Sequence, residues 1–196
     1  MSLFQVKIYG GPDNILDCRP RQRAANADGA ICYFEQHLNS DGLAKYGMAE
    51  MAYNGSQTSW EWATRYCEIL KTQVGDLITE AHPNQIPRPP KGRGNICLEW
   101  TDMPAILGEP LFVSNPDHVA FLRSPNGVIQ LATVLAQSII ECFPDGGLVA
   151  LSTGHRYRGN SDQGAPVIDA QGEESEGFYA EAIIRAAAPI LENFLG

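Results

Sequence analysis

Two hydrophobic rhythms alternate along this chain, and the alternation limits the folds open to it. Short apolar runs stop at a glycine or a polar residue: QVKIYGG (5–11), ICYFEQHLNS (31–40) and GLVALSTGH (147–155). Longer runs between and after them carry apolar residues at helical spacing: SWEWATRYCEILKTQVGDLI (59–78), VIQLATVLAQSIIECF (128–143) and GFYAEAIIRAAAPILENFL (177–195). In the first of these, Trp62, Tyr66, Ile69 and Leu70 fall on or near one face. NICLEWT and PAILGEPLF, within 95–112, read as two further buried strands, and HPNQIPRPPKGRG (82–94) reads as a loop. SNPDHVAFL opens a helix, with Ser114 or Asn115 as cap, Pro116 at the first helical position and Asp117 at the positive helix start. PDGG (144–147) is a turn. Strands alternating with helices predict an α/β fold, a mainly parallel twisted sheet with helices on both faces.

Composition narrows the function. Lys and Arg number 14 against 23 Asp and Glu, a formal charge of −9. Phosphate contacts need a surplus of cations, so a nucleic-acid partner is not expected. No apolar run reaches the ~18–20 residues that span a bilayer, so no transmembrane segment is expected. The start, MSLFQVKIYG, lacks a cationic stretch followed by a long apolar core. That predicts no signal peptide and synthesis in the cytoplasm. The five cysteines never form a CxxC pair, which excludes a zinc ribbon. They are expected to be reduced and mostly buried, and spacing alone argues for no disulfide.

Ligands of such sheets bind beyond the carboxyl ends of the strands. His37 and His155 each follow an apolar strand and precede a polar loop. Neutral imidazole suits zinc, although a lone strand-end histidine is more often an ordinary loop residue. Glu109 ends a third apolar run, among Ile106, Leu107, Pro110, Leu111 and Phe112. Desolvation there raises a carboxyl pKa toward the range of a general base; the plainer alternative is an edge glutamate that reaches solvent. Glu173, Glu174 and Glu176 precede the last helix, where acidic residues also serve simply to complement the helix dipole.

The stretch TDMPAILGEPLFVSNPDHVAFL (101–122) resembles the signature of zinc-dependent N-acetylmuramoyl-L-alanine amidases: a Thr, Met-Pro, an apolar strand, Glu-Pro, an apolar pair around Phe, and Ser-Asn-Pro. RQRAANADGAICYFEQHLNS (21–40) is similar to the family's Arg, Ala-Asn and strand ending in His-x-Asn, here Arg21, Ala25-Asn26 and His37-Leu38-Asn39. The family begins with a strand, Gly-His, a loop containing Asp-x-Gly-Ala and a Glu that opens a helix. In this chain those pieces stand near the carboxyl terminus, as Gly154-His155, Asp162-Gln163-Gly164-Ala165 and Glu176. The resemblance therefore implies a circularly permuted amidase fold, a three-layer domain of the phosphorylase/hydrolase-like kind. PDGG is the join, and strand 148–153 is expected beside strand 5–10. The loop from His155 to Asp162 departs from the family, being longer and lacking its Gly-His-Gly-Gly pair.

By that resemblance His155, Glu176 and His37 bind one zinc ion, with Glu174 the alternative to Glu176, and Glu109 is the catalytic base. The implied reaction cleaves the amide between N-acetylmuramic acid and L-alanine of the stem peptide, as in a phage endolysin or a bacterial wall-remodelling enzyme. A zinc peptidase of the same fold acting on free peptides, and a non-catalytic wall-binding relative, are the competing readings. Asn39 and Asp162 are candidate supports for the ligands, while Arg21 and Asn26 read as structural. His82 and His118 read as non-ligands. Residues 1–196 are expected to form one catalytic domain, with no separate cell-wall-binding module. The expected partner is peptidoglycan, reached after release from the cytoplasm by other means, and the expected state is monomeric.

Overall fold

The computed structural model describes residues 2–12, 15–88, 94–159 and 162–196. Six strands form one mixed sheet: β1 (Phe4–Tyr9), β2 (Cys32–Gln36), β3 (Tyr46–Met51), β4 (Glu80–Gln85), β5 (Ala105–Glu109) and β6 (Gly147–Thr153). Their order is β1-β6-β2-β5-β3-β4. Every pairing is parallel except β3 with β5, which is antiparallel. The helices are α1 (Cys18–Ala27), α2 (Gln57–Val74), α3 (Pro116–Arg123), α4 (Gly127–Cys142) and α5 (Glu176–Glu192). The α/β fold with a mainly parallel sheet follows the sequence expectation, as does the placing of β1 beside β6 in register Phe4↔Gly147 to Tyr9↔Ser152.

The main core lies on one face of the sheet. Trp62, Tyr66 and Leu70 of α2, Leu131, Leu135 and Ile139 of α4, and Ile183, Ile184 and Ala187 of α5 pack there with Phe34, Ile106 and Leu151. The other face is covered by α1 and the short turn at Gly94–Cys97, which bury Cys18, Ala25, Cys97 and Leu98 against Tyr9, Tyr33 and Leu107. Central β2 is buried along its whole length, which explains why its sequence does not alternate apolar with polar. The starts of α2, α3 and α5 are each fixed by a side chain. Ser56 accepts from Ser59 N, Asn115 accepts from Asp117 N, and Ser175 accepts from Phe178 N. Among the described residues no single helix is long and apolar enough to cross a membrane.

Two sequence expectations need correction. NICLEWT is not a strand; its first residues form a 3-10 turn at Gly94–Cys97. Asn95 dictates this. Its carbonyl accepts from Leu98 N and Glu99 N, and its side chain is held by Tyr53 N and Pro87 O. The segment 82–94 is not all loop, because residues 82–85 belong to β4. Pro83 has no N–H to give, but β4 is an edge strand and needs none on its open side. Residues 89–93 of that expected loop lie outside the described residues.

Arg21 is fully buried and ties α1 to the segment after β6. Its Nε donates to Leu16 O at 2.7 Å and Nη1 to Ser152 Oγ at 3.1 Å. It also donates to the carbonyls of Thr153 and Arg156. Asn26 joins the same helix to the 100–102 turn, donating to Trp100 O and accepting from Asp102 N. Lysine cannot span the Arg21 acceptors, and unpaired buried carbonyls are costly. Arg21→Lys is expected to lose about 2–3 kcal/mol of stability, read from the urea midpoint at unchanged m-value.

Candidate metal centre

The register of β2 and β6 sets the site. Gln36 lies opposite Thr153, so His37 and His155 leave adjacent parallel strands at the same end. Gly154 N donates to Gln36 O at 2.8 Å, and His155 then turns in the left-handed region at φ 62. The two imidazoles meet edge to face, with centroids 4.7 Å apart. Glu176, first residue of α5, points its carboxylate at both. Oε1 lies 3.0 Å from His37 Nδ1 and 3.2 Å from His155 Nε2. Its other oxygen is fixed by Ala165 N at 2.8 Å, and Leu38 N donates to Oε1 at 3.2 Å. The candidate donor atoms of His37, His155 and Glu176 all lie within 4.8 Å of one another.

The far nitrogen of each imidazole faces a carboxylate. His155 Nδ1 lies 2.7 Å from Asp162 Oδ2, and His37 Nε2 lies 3.5 Å from Glu35 Oε1. This pattern fixes the tautomer and ring orientation of metal-binding histidines. Arg158 spans the two carboxylates, with Nη2 3.3 Å from Glu35 and Nη1 3.3 Å from Asp162. Burial disfavours charge on Glu35, yet His37 and Arg21 outweigh it and hold the carboxyl down to about 2. Burial likewise opposes a proton on His37, but Glu176 and Glu35 raise it to about 10. Glu176 is held well below the carboxylate range, since the two histidines outweigh its burial.

Glu109 ends β5, the neighbour of β2 on the side away from β6. Burial is the main cause that lifts its carboxyl to about 7, with the like charge of Glu50 next; His37 and His155 work in the opposite sense. Asn39 Nδ2 donates to Glu109 Oε2 at 2.9 Å and fixes its direction.

The other expected residues fall elsewhere. Glu174 turns to Arg123 and Tyr179 instead of the histidines. His118 is buried in a structural role, accepting from Phe112 N and facing Leu77 O. His82 stacks on Tyr46 in β4. Of the tryptophans, Trp62 is buried while Trp60 and Trp100 are partly exposed, Trp100 with Arg19 over its ring. Sequence reasoning missed Glu35 and Arg158. An acidic residue inside the apolar run CYFEQ was a signal for the first, whereas nothing in the loop sequence marked the second.

Residues 2–141 match the N-acetylmuramoyl-L-alanine amidase family. The chain belongs to that family. His155 and Glu176 lie beyond the matched stretch, in the β6–α5 unit. Three solved N-acetylmuramoyl-L-alanine amidases share the fold of this amidase-family chain. The enzyme from Clostridium difficile 630 is 18% identical, with TM-score 0.54, covering 66% of each chain. The catalytic domain of CwlV from Bacillus (Paenibacillus) polymyxa var. colistinus is 21% identical, with TM-score 0.50, covering 64% of this chain and 65% of that one. AmiC2 of Nostoc punctiforme is 16% identical, with TM-score 0.52, covering the same shares. The chain thus spans just under two thirds of the length of each. No curated protein matches its sequence.

Gly154 and Gly164 are required by the crowding around the cluster. A Cβ on Gly154 would meet Gln36 O and lie 2.8 Å from the His37 ring. One on Gly164, at φ +77, would run into Glu176 Oε2 and lie 2.8 Å from His155. Gly164→Ala is expected to cost about 2 kcal/mol or more. Gly159→Ala, where among the described residues the added carbon meets Asp17 alone at 3.8–3.9 Å, is expected to stay within about 0.5 kcal/mol. Parallel denaturant titrations of the two variants check this contrast.

Proposed function

We propose that this chain is a zinc-dependent amidase that cleaves the bond between N-acetylmuramic acid and the L-alanine of the peptidoglycan stem peptide. The observation that carries the reading is the convergence of His37, His155 and Glu176 on one point, with Glu109 at the end of the next strand but one from β6. The donor set fits zinc: two imidazoles and one carboxylate are a common catalytic combination that leaves a coordination position open. The carboxylates behind both histidines strengthen that fit. Bound there, zinc supplies a Lewis acid for the amide carbonyl and lowers the pKa of water from ~15.7 toward ~7.

The protein's own groups do the rest. Asp162, hydrogen-bonded to His155 Nδ1, orients that ring, and the Glu35 carboxylate stands behind His37. Glu109, oriented by Asn39, takes the proton of the attacking water and returns it to the departing amine nitrogen. No covalent bond to the enzyme forms. The substrate places the reaction at the cell wall.

We read the chain order as a circular permutation of the family's. The candidate ligands outside the family-matched stretch stand just after β6 and at the start of α5, and β6 inserts between β1 and β2. The end of α5 also meets the start of β1, with Leu3 N donating to Phe194 O at 3.0 Å. A link between those elements would therefore be short.

Two variants test the roles. Glu109→Ala is expected to keep about one zinc per chain and lose 10²-fold or more of activity. His155→Ala is expected to lose both. Mass spectrometry of digested peptidoglycan should show free stem peptides beside intact glycan; peptides cut internally would instead indicate a peptidase. A His155→Ala protein with full zinc would remove the histidine from the ligand set.

The acidity of Glu109 gives a further check. A base works only when deprotonated, and its proton affinity is raised in the metal-free protein. Activity should therefore fall with pH through a limb at or below about 7, because a nearby cation can only lower the value. Glu50→Gln removes a like charge and should move that limb to lower pH. A pH–rate profile of both proteins reads the shift.

A further inference from the structure

A second cluster lies on the sheet face covered by α1. Cys18 opens that helix and Cys97 ends the 94–97 turn; both are buried. Their sulfurs are 3.0 Å apart. Arg158 Nη2 lies 3.5 Å from Cys97 Sγ, beside its contact with Glu35.

Cys18, Cys97 and Glu35 offer donor atoms close enough together for a metal. The sulfur separation favours a different chemistry. Two thiolates bound at ~2.3 Å to one tetrahedral zinc stand roughly 3.7–3.8 Å apart, wider than the 3.0 Å here. Arg158 also already neutralises Glu35. The contact is closer than ordinary sulfur packing and longer than the ~2.05 Å of a bond, so little movement separates the two sulfurs from a disulfide. The hydrogen bond from Cys97 is the largest influence lowering the Cys18 thiol, aided by Arg158 and Arg21 against burial and Glu35.

We propose that Cys18 and Cys97 are a redox pair that closes to a reversible disulfide, stapling α1 to the 94–97 turn. The oxidant class is a small peroxide, able to reach sulfurs that a bulky disulfide reagent cannot. The Cys18 thiolate attacks hydrogen peroxide; the O–O bond breaks, leaving a sulfenic acid and hydroxide, which takes the proton lost from Cys18 and becomes water. Cys97 Sγ then attacks the Cys18 sulfur, the S–O bond breaks, and the hydroxyl leaves with the Cys97 proton as water. Two thiols and one peroxide give one disulfide and two waters; both sulfurs are oxidised and the peroxide oxygens reduced. Arg158 bridges this pair to the carboxylates behind His37 and His155, so the staple adjoins the candidate metal centre.

The test is peptide mapping of the full chain after hydrogen peroxide treatment, with alkylation of the remaining thiols. Expected are a linked peptide pair containing Cys18 and Cys97, its reversal by dithiothreitol, and a melting temperature raised on the order of 10 °C. Cys18→Ser and Cys97→Ser should lack both changes, and Cys32→Ser should show them. If those variants fail to fold, the map of the unsubstituted chain still decides. Full alkylation of Cys18 and Cys97 after treatment, or a sulfinic acid without cross-link, overturns the proposal. So does a second zinc per chain, after incubation with zinc chloride, that Cys97→Ser loses.

Discussion

The parallel ladder between β2 and β6 is the constraint on which the site depends. It fixes Gln36 level with Thr153, so the two histidines leave the sheet together although more than half the sequence separates them. A slip of one residue would turn one imidazole to the opposite face of the sheet. Buried residues guard against that slip: Phe34 and Leu151 are paired and pack into the main core, while Tyr33 and Ala150 are paired and pack under α1. The hydrophobic effect that builds both layers thereby also sets the spacing of the donors.

Around the histidines the electrostatics are nested. Glu176 lies between the two rings, and Glu35 and Asp162 lie behind them. Arg158 spans the outer carboxylates. Isolated, any of these buried charges would be strongly disfavoured, but each has a partner of opposite sign or a backbone donor. Glu109 stands apart from this balance. It is buried, with another carboxylate as a near neighbour and only an amide for a partner, so it holds its proton more tightly than the others. The same local chemistry gives carboxylates on neighbouring strands opposite tendencies.

Much of this was legible in the sequence where burial and local chemistry agree. The strands 5–11, 31–40 and 147–155 and the three long helices show their rhythm because they are buried on defined faces. His37, His155, Glu109 and Glu176 stood out because each ends or opens such an element. Helical phase favours Glu176 over Glu174, but the turn of Glu174 toward Arg123, distant in sequence, has no local signal. β3 was silent because YGMAEM mixes glycine, alanine and glutamate in place of β-branched residues. β4 was hidden by a proline that only an edge strand accommodates. The run NICLEWT looked extended by composition, yet one buried asparagine bends it. Arg158 acts through loop geometry that no periodicity encodes.

The meeting of Leu3 with Phe194 has a practical outcome. Strands β1 and β6 start at that end of the sheet, and the far end of β6, about 20 Å away at ~3.3 Å per residue, leads into His155 of the histidine cluster. A purification tag, a fluorophore or a surface tether fused at either terminus would emerge at the end of the strands opposite the histidine cluster. Pulling on both ends at once would instead load the Leu3–Phe194 backbone hydrogen bond, the Ser2 hydroxyl's bonds to the Leu191 and Phe194 carbonyls and the Phe4–Phe194 ring contact before any strand is sheared.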